Sequence, residues 1–145
     1  MRKQSKRQVR SAEIPCIVMG HVAPEAQIVL LTALNAFVQG WAHPSHFDVM
    51  LDTRDLLLLA AKAKQENDTI EAARAFNVAL ANIKDSWDGS KFDVSDDEIN
   101  ALKMLVDISN DFWARQSGNL FQMAYKVLKQ WRAEQESQKN EAHTV

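Results

Sequence analysis

Four consecutive leucines, residues 56–59, form the most apolar part of a repeating pattern of hydrophobic and polar positions. In an α-helix each residue is rotated by about 100° from the previous one, so these four side chains point in four different directions. A helix that is apolar on every side has to be surrounded by other elements, because each fully buried leucine contributes roughly 1.5–3 kcal/mol. The pattern therefore predicts a helical bundle with this segment at its buried centre.

Four further segments carry apolar residues at helical spacing between breakers or capping residues. Together with the leucine-rich segment, they predict five helices: Pro24 to Gly40, Ser45 to Glu66, Thr69 to Trp87, Ser95 to Gln116 and Leu120 to Glu134. An alternative start at Asp52 remains open for the second helix, because aspartate also caps helices. The fifth predicted helix carries the apolar residues Leu120, Phe121, Ala124, Val127, Leu128 and Trp131.

The densest cluster of acids lies at the predicted start of the fourth helix and consists of Asp93, Asp96, Asp97 and Glu98. Such a cluster can hold a metal or supply paired catalytic carboxylates. Ser95 and Glu98, however, have the spacing of a capping box, and acids at a helix start favour the positive end of the helix dipole. The helix start therefore accounts for the cluster, and the spacing differs from that of a calcium loop.

Length and composition favour one all-α domain. The 145 residues are 46% hydrophobic and include 4 glycines and 3 prolines, which is typical of long helices with few turns. We expect a basic flexible arm at residues 1–13, a helical bundle at 14–135 and a polar C-terminal tail at 136–145. The single cysteine, Cys16, excludes an internal disulfide and favours a reducing cytoplasm.

The net charge of −2 hides a strong asymmetry between the two parts of the chain. Five cations and no acid lie within the first ten residues: Arg2, Lys3, Lys6, Arg7 and Arg10. The other 12 cations face 19 acids, so the rest of the chain has a net charge of −7. A basic arm is typical of a contact with nucleic acid or an acidic partner, although it is also compatible with a solvated terminus.

No charged residue occurs from position 26 to 47, which raises the possibility of a membrane span. Polar residues recur through this stretch, and Gly40 and Pro44 close it at a length that is marginal for a bilayer. We therefore expect a buried core helix and no membrane contact. The apolar residues 14–22 contain Pro15 and lack a cleavage site, so they do not resemble a signal peptide.

His43 and His46 lie three residues apart beside Trp41 and would supply half of a metal site. Nothing in the pattern fixes His21 or another residue as a third ligand, so no metal or other cofactor is predicted. No phosphate-binding glycine loop and no nucleophile motif occurs in the sequence. A non-enzymatic protein is therefore favoured, although an active site built from distant residues leaves no local motif.

The fourth predicted helix has an apolar arc of about 220° on a helical wheel, wider than the roughly 100° that one-sided packing needs. The excess edge consists of Met104, Ile108 and Phe112. Two interpretations stay open. The edge is covered by neighbouring helices of the same chain, or it binds a second copy or another protein, because methionine and aromatic residues are favoured at interfaces.

The basic opening with Arg2, Lys3, Ser5 and Lys6, the short extended segment Ile14 to Val22 and the five helices resemble small uncharacterised accessory proteins of tailed bacteriophages and prophages of proteobacteria. The resemblance implies a protein that acts in a bacterial cytoplasm by binding a host or phage macromolecule. The leading hypothesis is a non-enzymatic protein-binding regulator, such as an inhibitor of a host defence protein. The alternative is a nucleic-acid-binding protein that uses the basic arm.

Overall fold

Helices make up most of residues 24–144, the part of the chain that the computed structural model describes; side chains are described for residues 28–139. The helices are α1 (Pro24–Gln39), α2 (Pro44–Lys64), α3 (Asn67–Ala75), α4 (Asn77–Asp85), α5 (Asp96–Ala114) and α6 (Gly118–Thr144). No β-strand occurs within residues 24–144, so the predicted all-α bundle is confirmed there. The basic arm predicted at residues 1–13 lies outside the described residues.

The leucine-rich helix α2 is the centre of the bundle. It packs against α1, α3, α5 and α6. Leu56 and Leu57 belong to the buried core, while Leu58 and Leu59 are partly buried against it. The prediction that this helix is surrounded is confirmed. The four leucines point in four directions, and each one lies in the core or packs against it.

The start of α2 is formed by a histidine and a proline rather than by Ser45. His43 has an extended backbone, and Pro44 is the first helical residue, where its missing N–H costs no hydrogen bond. The longer of the two predicted versions of this helix is therefore confirmed, and the alternative start at Asp52 is wrong. The helix ends at Lys64 because Gln65 adopts the left-handed conformation with φ 57°.

The third predicted helix is divided into α3 and α4 at Phe76, so its prediction as one continuous helix is wrong. Phe76 has φ −83° and ψ −5°, and its backbone N–H donates to the carbonyl of Ala73 in a tight turn. The Phe76 side chain is buried in the core, which gives this turn its anchor. Beyond the turn, the Leu80 N–H donates to the Phe76 carbonyl at 2.9 Å, and the buried face continues along α4.

The capping box predicted for α5 is confirmed. The Ser95 N–H donates to Glu98 Oε1 at 3.0 Å, and the Glu98 N–H donates to Ser95 Oγ at 3.2 Å. These two bonds satisfy amides that have no partner inside the helix, so they fix its first turn. The helix ends at Ala114, slightly before the predicted Gln116.

The last helix is longer than predicted, because α6 continues past Glu134 to Thr144. Every described side chain from position 133 to 139 is exposed, so packing against the bundle ends near Arg132 although the helix continues. The polar tail was predicted from position 136 because apolar residues become rare there. A run of good helix formers continues the helix without them.

Candidate partner-binding surfaces

A guanidinium clamp fixes α6 to the central helix. Arg132 donates from Nη1 to Asp52 Oδ1 and from Nη2 to Asp55 Oδ2, each at 2.7 Å. Asp55 also accepts from Arg54 Nε at 2.8 Å, and Arg54 reaches Asn77 on α4. Because Arg54 and Asp55 are largely buried, this network holds α2, α4 and α6 in one arrangement.

The protonation of Arg132 follows from the same contacts. Burial lowers the pKa of its guanidinium, but the hydrogen bonds to Asp55 and Asp52 outweigh this effect and raise the pKa above its ordinary value. Arg132 is therefore a permanent cation whose charge is matched by carboxylates of α2.

A second link holds the joint between α5 and α6. The Glu66 carboxylate, at the corner between α2 and α3, accepts from Thr69 Oγ1 at 3.0 Å and from Arg115 Nη1 at 3.3 Å. Gln116, which is buried, lies with Nε2 at 3.5 Å from the same carboxylate. The start of α6 is therefore tied to the bundle at one end, and Arg132 ties it again about four turns later.

An exposed apolar row runs along α6 and consists of Met123, Val127 and Trp131, which we call the α6 stripe. The three side chains are 49%, 41% and 46% exposed. They follow one another at intervals of four residues, so they share one face of the helix. Beside them, Ala124 and Leu128 are buried in the core. Val127 and Trp131, two of the apolar residues predicted on this helix, are therefore not part of its buried face.

Aromatic contacts attach the first half of α6 to the end of α5. Trp113 at the end of α5 meets Phe121 edge to face with centroids 5.1 Å apart, and Phe121 stacks on Tyr125 at 6.4 Å. The ammonium of Lys129 lies 5.6 Å from the Tyr125 ring. These contacts connect the core with the surface of α6 and restrict the movement of the helix that carries the α6 stripe.

The predicted edge of α5 is not one exposed surface. Met104 is 57% exposed, Ile108 is partly buried against the core, and Phe112 is fully buried. Phe112 is covered by its own chain, so for this residue the core interpretation holds. Partner binding through Met104 stays a prediction, and it rests on one exposed apolar side chain among the acids of α5.

The other candidate groups are placed as follows. His43 and His46 begin α2: the His43 N–H donates to His46 Nδ1 at 2.9 Å, and the His46 ring meets Trp41 edge to face. One imidazole nitrogen is therefore used for capping. Within the described residues no group of three or more His, Cys, Asp or Glu side chains is placed to hold a metal ion. The arm residues Arg2, Lys3, Lys6, Arg7 and Arg10 lie outside the described range.

Two further features complete the surface. A small open pocket of about 70 Å³ lies at the end of α1 and is lined by Phe37, Gly40, Ala42, Phe92 and Val94. In the turn after α4, Asp88 Oδ1 accepts from the N–H groups of Ser90 and Lys91 at 2.8 and 2.9 Å. The backbone bonds from Lys91 and Ser90 lower the pKa of Asp88 below its ordinary value of 3.8.

Sequence reasoning did not identify the α6 stripe, because it named the apolar residues of the last helix as one set. The sequence carries no signal for it, because on a helical wheel Trp131 falls within the arc of the buried residues Leu120, Ala124 and Leu128. Its exposure depends on which helices pack against α6. Among residues 24–144, no helix combines the length and apolarity that a bilayer crossing requires. No known protein family, curated protein or solved structure matches this chain.

Proposed function

We propose that the protein is a non-enzymatic binding protein that docks the α6 stripe into an apolar groove on another protein. The observation that carries the proposal is the row of Met123, Val127 and Trp131, half exposed on the part of α6 between the contact of Arg115 with Glu66 and the contacts of Arg132. Docking of an amphipathic helix into a groove uses anchors at this spacing.

The residue types support a protein partner. Tryptophan and methionine are enriched at protein interfaces, and a tryptophan at the centre of an interface commonly contributes about 2 kcal/mol or more. The first and last anchors of the α6 stripe are separated by about 12 Å of helix, which fits a groove on a small domain. Because α6 is already folded and clamped, binding does not have to bear the entropy cost of forming the helix.

The charges beside the α6 stripe indicate the character of that groove. Residues 118–133 contain Lys126, Lys129 and Arg132 and no acid. Arg132 is neutralised by Asp52 and Asp55, and Lys129 contacts the Tyr125 ring on the other flank of the helix. Lys126, three residues after Met123, remains for a partner, so the fitting groove has an acidic group at its rim.

The biological setting is part of the same proposal. A phage-encoded inhibitor or regulator of a host protein, acting in the bacterial cytoplasm, fits a small scaffold that binds through one exposed helix. The support for this setting is the resemblance of the basic opening and helix order to accessory phage proteins.

Nucleic-acid binding through the basic arm is the second candidate function. Its support is the run of Arg2, Lys3, Lys6, Arg7 and Arg10 without a compensating acid. Five phosphate contacts give a log–log salt slope no steeper than about −4.5 on duplex DNA. Deletion of residues 2–10 should abolish that binding and leave docking through the α6 stripe intact.

The test is a quantitative capture experiment in nuclease-treated bacterial lysate. Wild-type protein, Trp131→Asp, Met123→Asp and the matched control Val78→Asp, at an exposed apolar position on α4, are compared as baits. We expect one protein to be retained by wild type and Val78→Asp and to be lost with both α6 stripe variants. A captured set that is the same for all four baits would contradict the proposal.

A further inference from the structure

The outer face of α1 carries a heptad pattern. Ile28, Leu31, Asn35 and Val38 follow one another at intervals of three, four and three residues, which is the spacing of positions a and d in a coiled coil. We call these four residues the α1 seam. All four are exposed, with Ile28 61% and Leu31 57% exposed, while Ala33, Ala36 and Phe37 on the opposite side are buried.

The stretch of chain that carries the α1 seam is free of charged residues. No Asp, Glu, Lys or Arg occurs from position 26 to 47, and the exposed neighbours Thr32 and Gln39 are polar and neutral. Taken together, residues 28–139 contain 12 cations and 16 acids. In a two-fold interface both copies contribute the same patch, so a patch dominated by one sign of charge repels its own copy. The uncharged α1 seam contributes no such repulsion.

Asn35 indicates which arrangement the seam favours. It occupies an a position among apolar neighbours, and a single asparagine at a selects a parallel two-stranded pairing at some cost in stability. In that register each Asn35 amide lies opposite the Asn35 amide of the other copy, where both can donate and accept. An antiparallel pairing would place the amide against apolar side chains and leave it without a partner.

We propose that a second copy of this chain binds along the α1 seam, forming a parallel two-fold dimer with Asn35 paired across the axis. The seam covers less than two heptads of a helix about 24 Å long, so it is short for an isolated coiled coil. The bundle already holds α1 in helical form, which removes the cost of helix nucleation. The small contact implies a dimer that forms with rising protein concentration. The dimer is independent of the α6 stripe.

The test measures the mass of the full chain in solution by sedimentation from micromolar to sub-millimolar concentration. Wild type should rise from the 16.4 kDa of one chain toward twice that mass. Leu31→Lys should remain a monomer at every concentration, and Val78→Lys, at an exposed position on α4, should dimerise like wild type. Asn35→Ile should associate more tightly or form trimers, because it replaces the polar a residue by a β-branched one.

A second measurement keeps the proposal testable if Leu31→Lys fails to fold, which circular dichroism will reveal. In a Cys16→Ser background, Asn35→Cys should form a disulfide-linked dimer under mild oxidation, and Val78→Cys should form far less. A wild type that stays at 16.4 kDa throughout, or equal cross-linking of the Asn35→Cys and Val78→Cys variants, would overturn the dimer. Leu31→Lys should lose the dimer and still capture the target protein, whereas Trp131→Asp should lose the target protein and still dimerise. These opposite results separate the dimer from the proposed function.

Discussion

Helices α5 and α6 both lie beside the central helix, yet they bury their apolar side chains to different extents. On α5 the wide apolar arc is largely covered, and Phe112 is fully buried. On α6 the narrower apolar face leaves Val127 and Trp131 half exposed. The difference is in the neighbours: α5 packs against α1, α2 and α4, whereas α6 packs mainly on α2. The width of an apolar arc therefore does not by itself identify an interface.

The largest expected effect distinguishes the buried and exposed parts of α5. Phe112→Asp should unfold the protein, because it loses a core aromatic and buries an unpaired charge, which together cost several kcal/mol against a total stability of about 5–15 kcal/mol. Met104→Asp, the matched change at an exposed position of the same helix, should alter stability by about 0.5 kcal/mol or less. Urea denaturation followed by circular dichroism measures both. Similar losses of stability in the two variants would contradict the burial of Phe112 and the exposure of Met104.

The next effect concerns the clamp that makes α6 rigid. Arg132→Met keeps most of the side chain but leaves the Asp52 and Asp55 carboxylates without the guanidinium, so we expect a loss of about 1–3 kcal/mol. Lys129→Met, one turn earlier and exposed, is the control and should cost less than about 1 kcal/mol. Hydrogen exchange in α6 should rise in Arg132→Met alone. Equal exchange in both variants would mean that the clamp does not hold the helix.

Some features of this fold can be predicted from the sequence, and others depend on tertiary packing. The start of α5 was predicted correctly because a local contact between Ser95 and Glu98 determines it. The start of α2 was predicted at Ser45, although His43 is the cap and Pro44 the first helical residue. The turn at Phe76 was missed because neither glycine nor proline marks it; its side chain is held by the tertiary core. The burial of Phe112 and the exposure of Trp131 could not be predicted for the same reason, since each depends on which helices are adjacent.

The smallest expected effect is a pH dependence at the turn after α4. The pKa of Asp88 is lowered in the folded chain, so this carboxylate contributes stability above its unfolded pKa of about 3.8 and loses it as the pH falls through the lower folded value. An NMR titration of the Asp88 carboxyl should give a midpoint below 3.8. In Asp88→Asn, the decrease of stability on acidification should be slightly smaller than in wild type. A midpoint at or above 3.8 would contradict the backbone bonds from Ser90 and Lys91.

The most direct measurement of the central claim, that the α6 stripe binds another protein, is site-specific photo-crosslinking in bacterial cells. A photoreactive amino acid at position 127 should give one discrete heavier adduct, and the same group at the control position 78 on α4 should give none. The adduct from position 127 should disappear when Trp131→Asp is added, because the neighbouring anchor of the same row is then lost. No adduct from position 127, or the same adducts from both positions, would contradict the account.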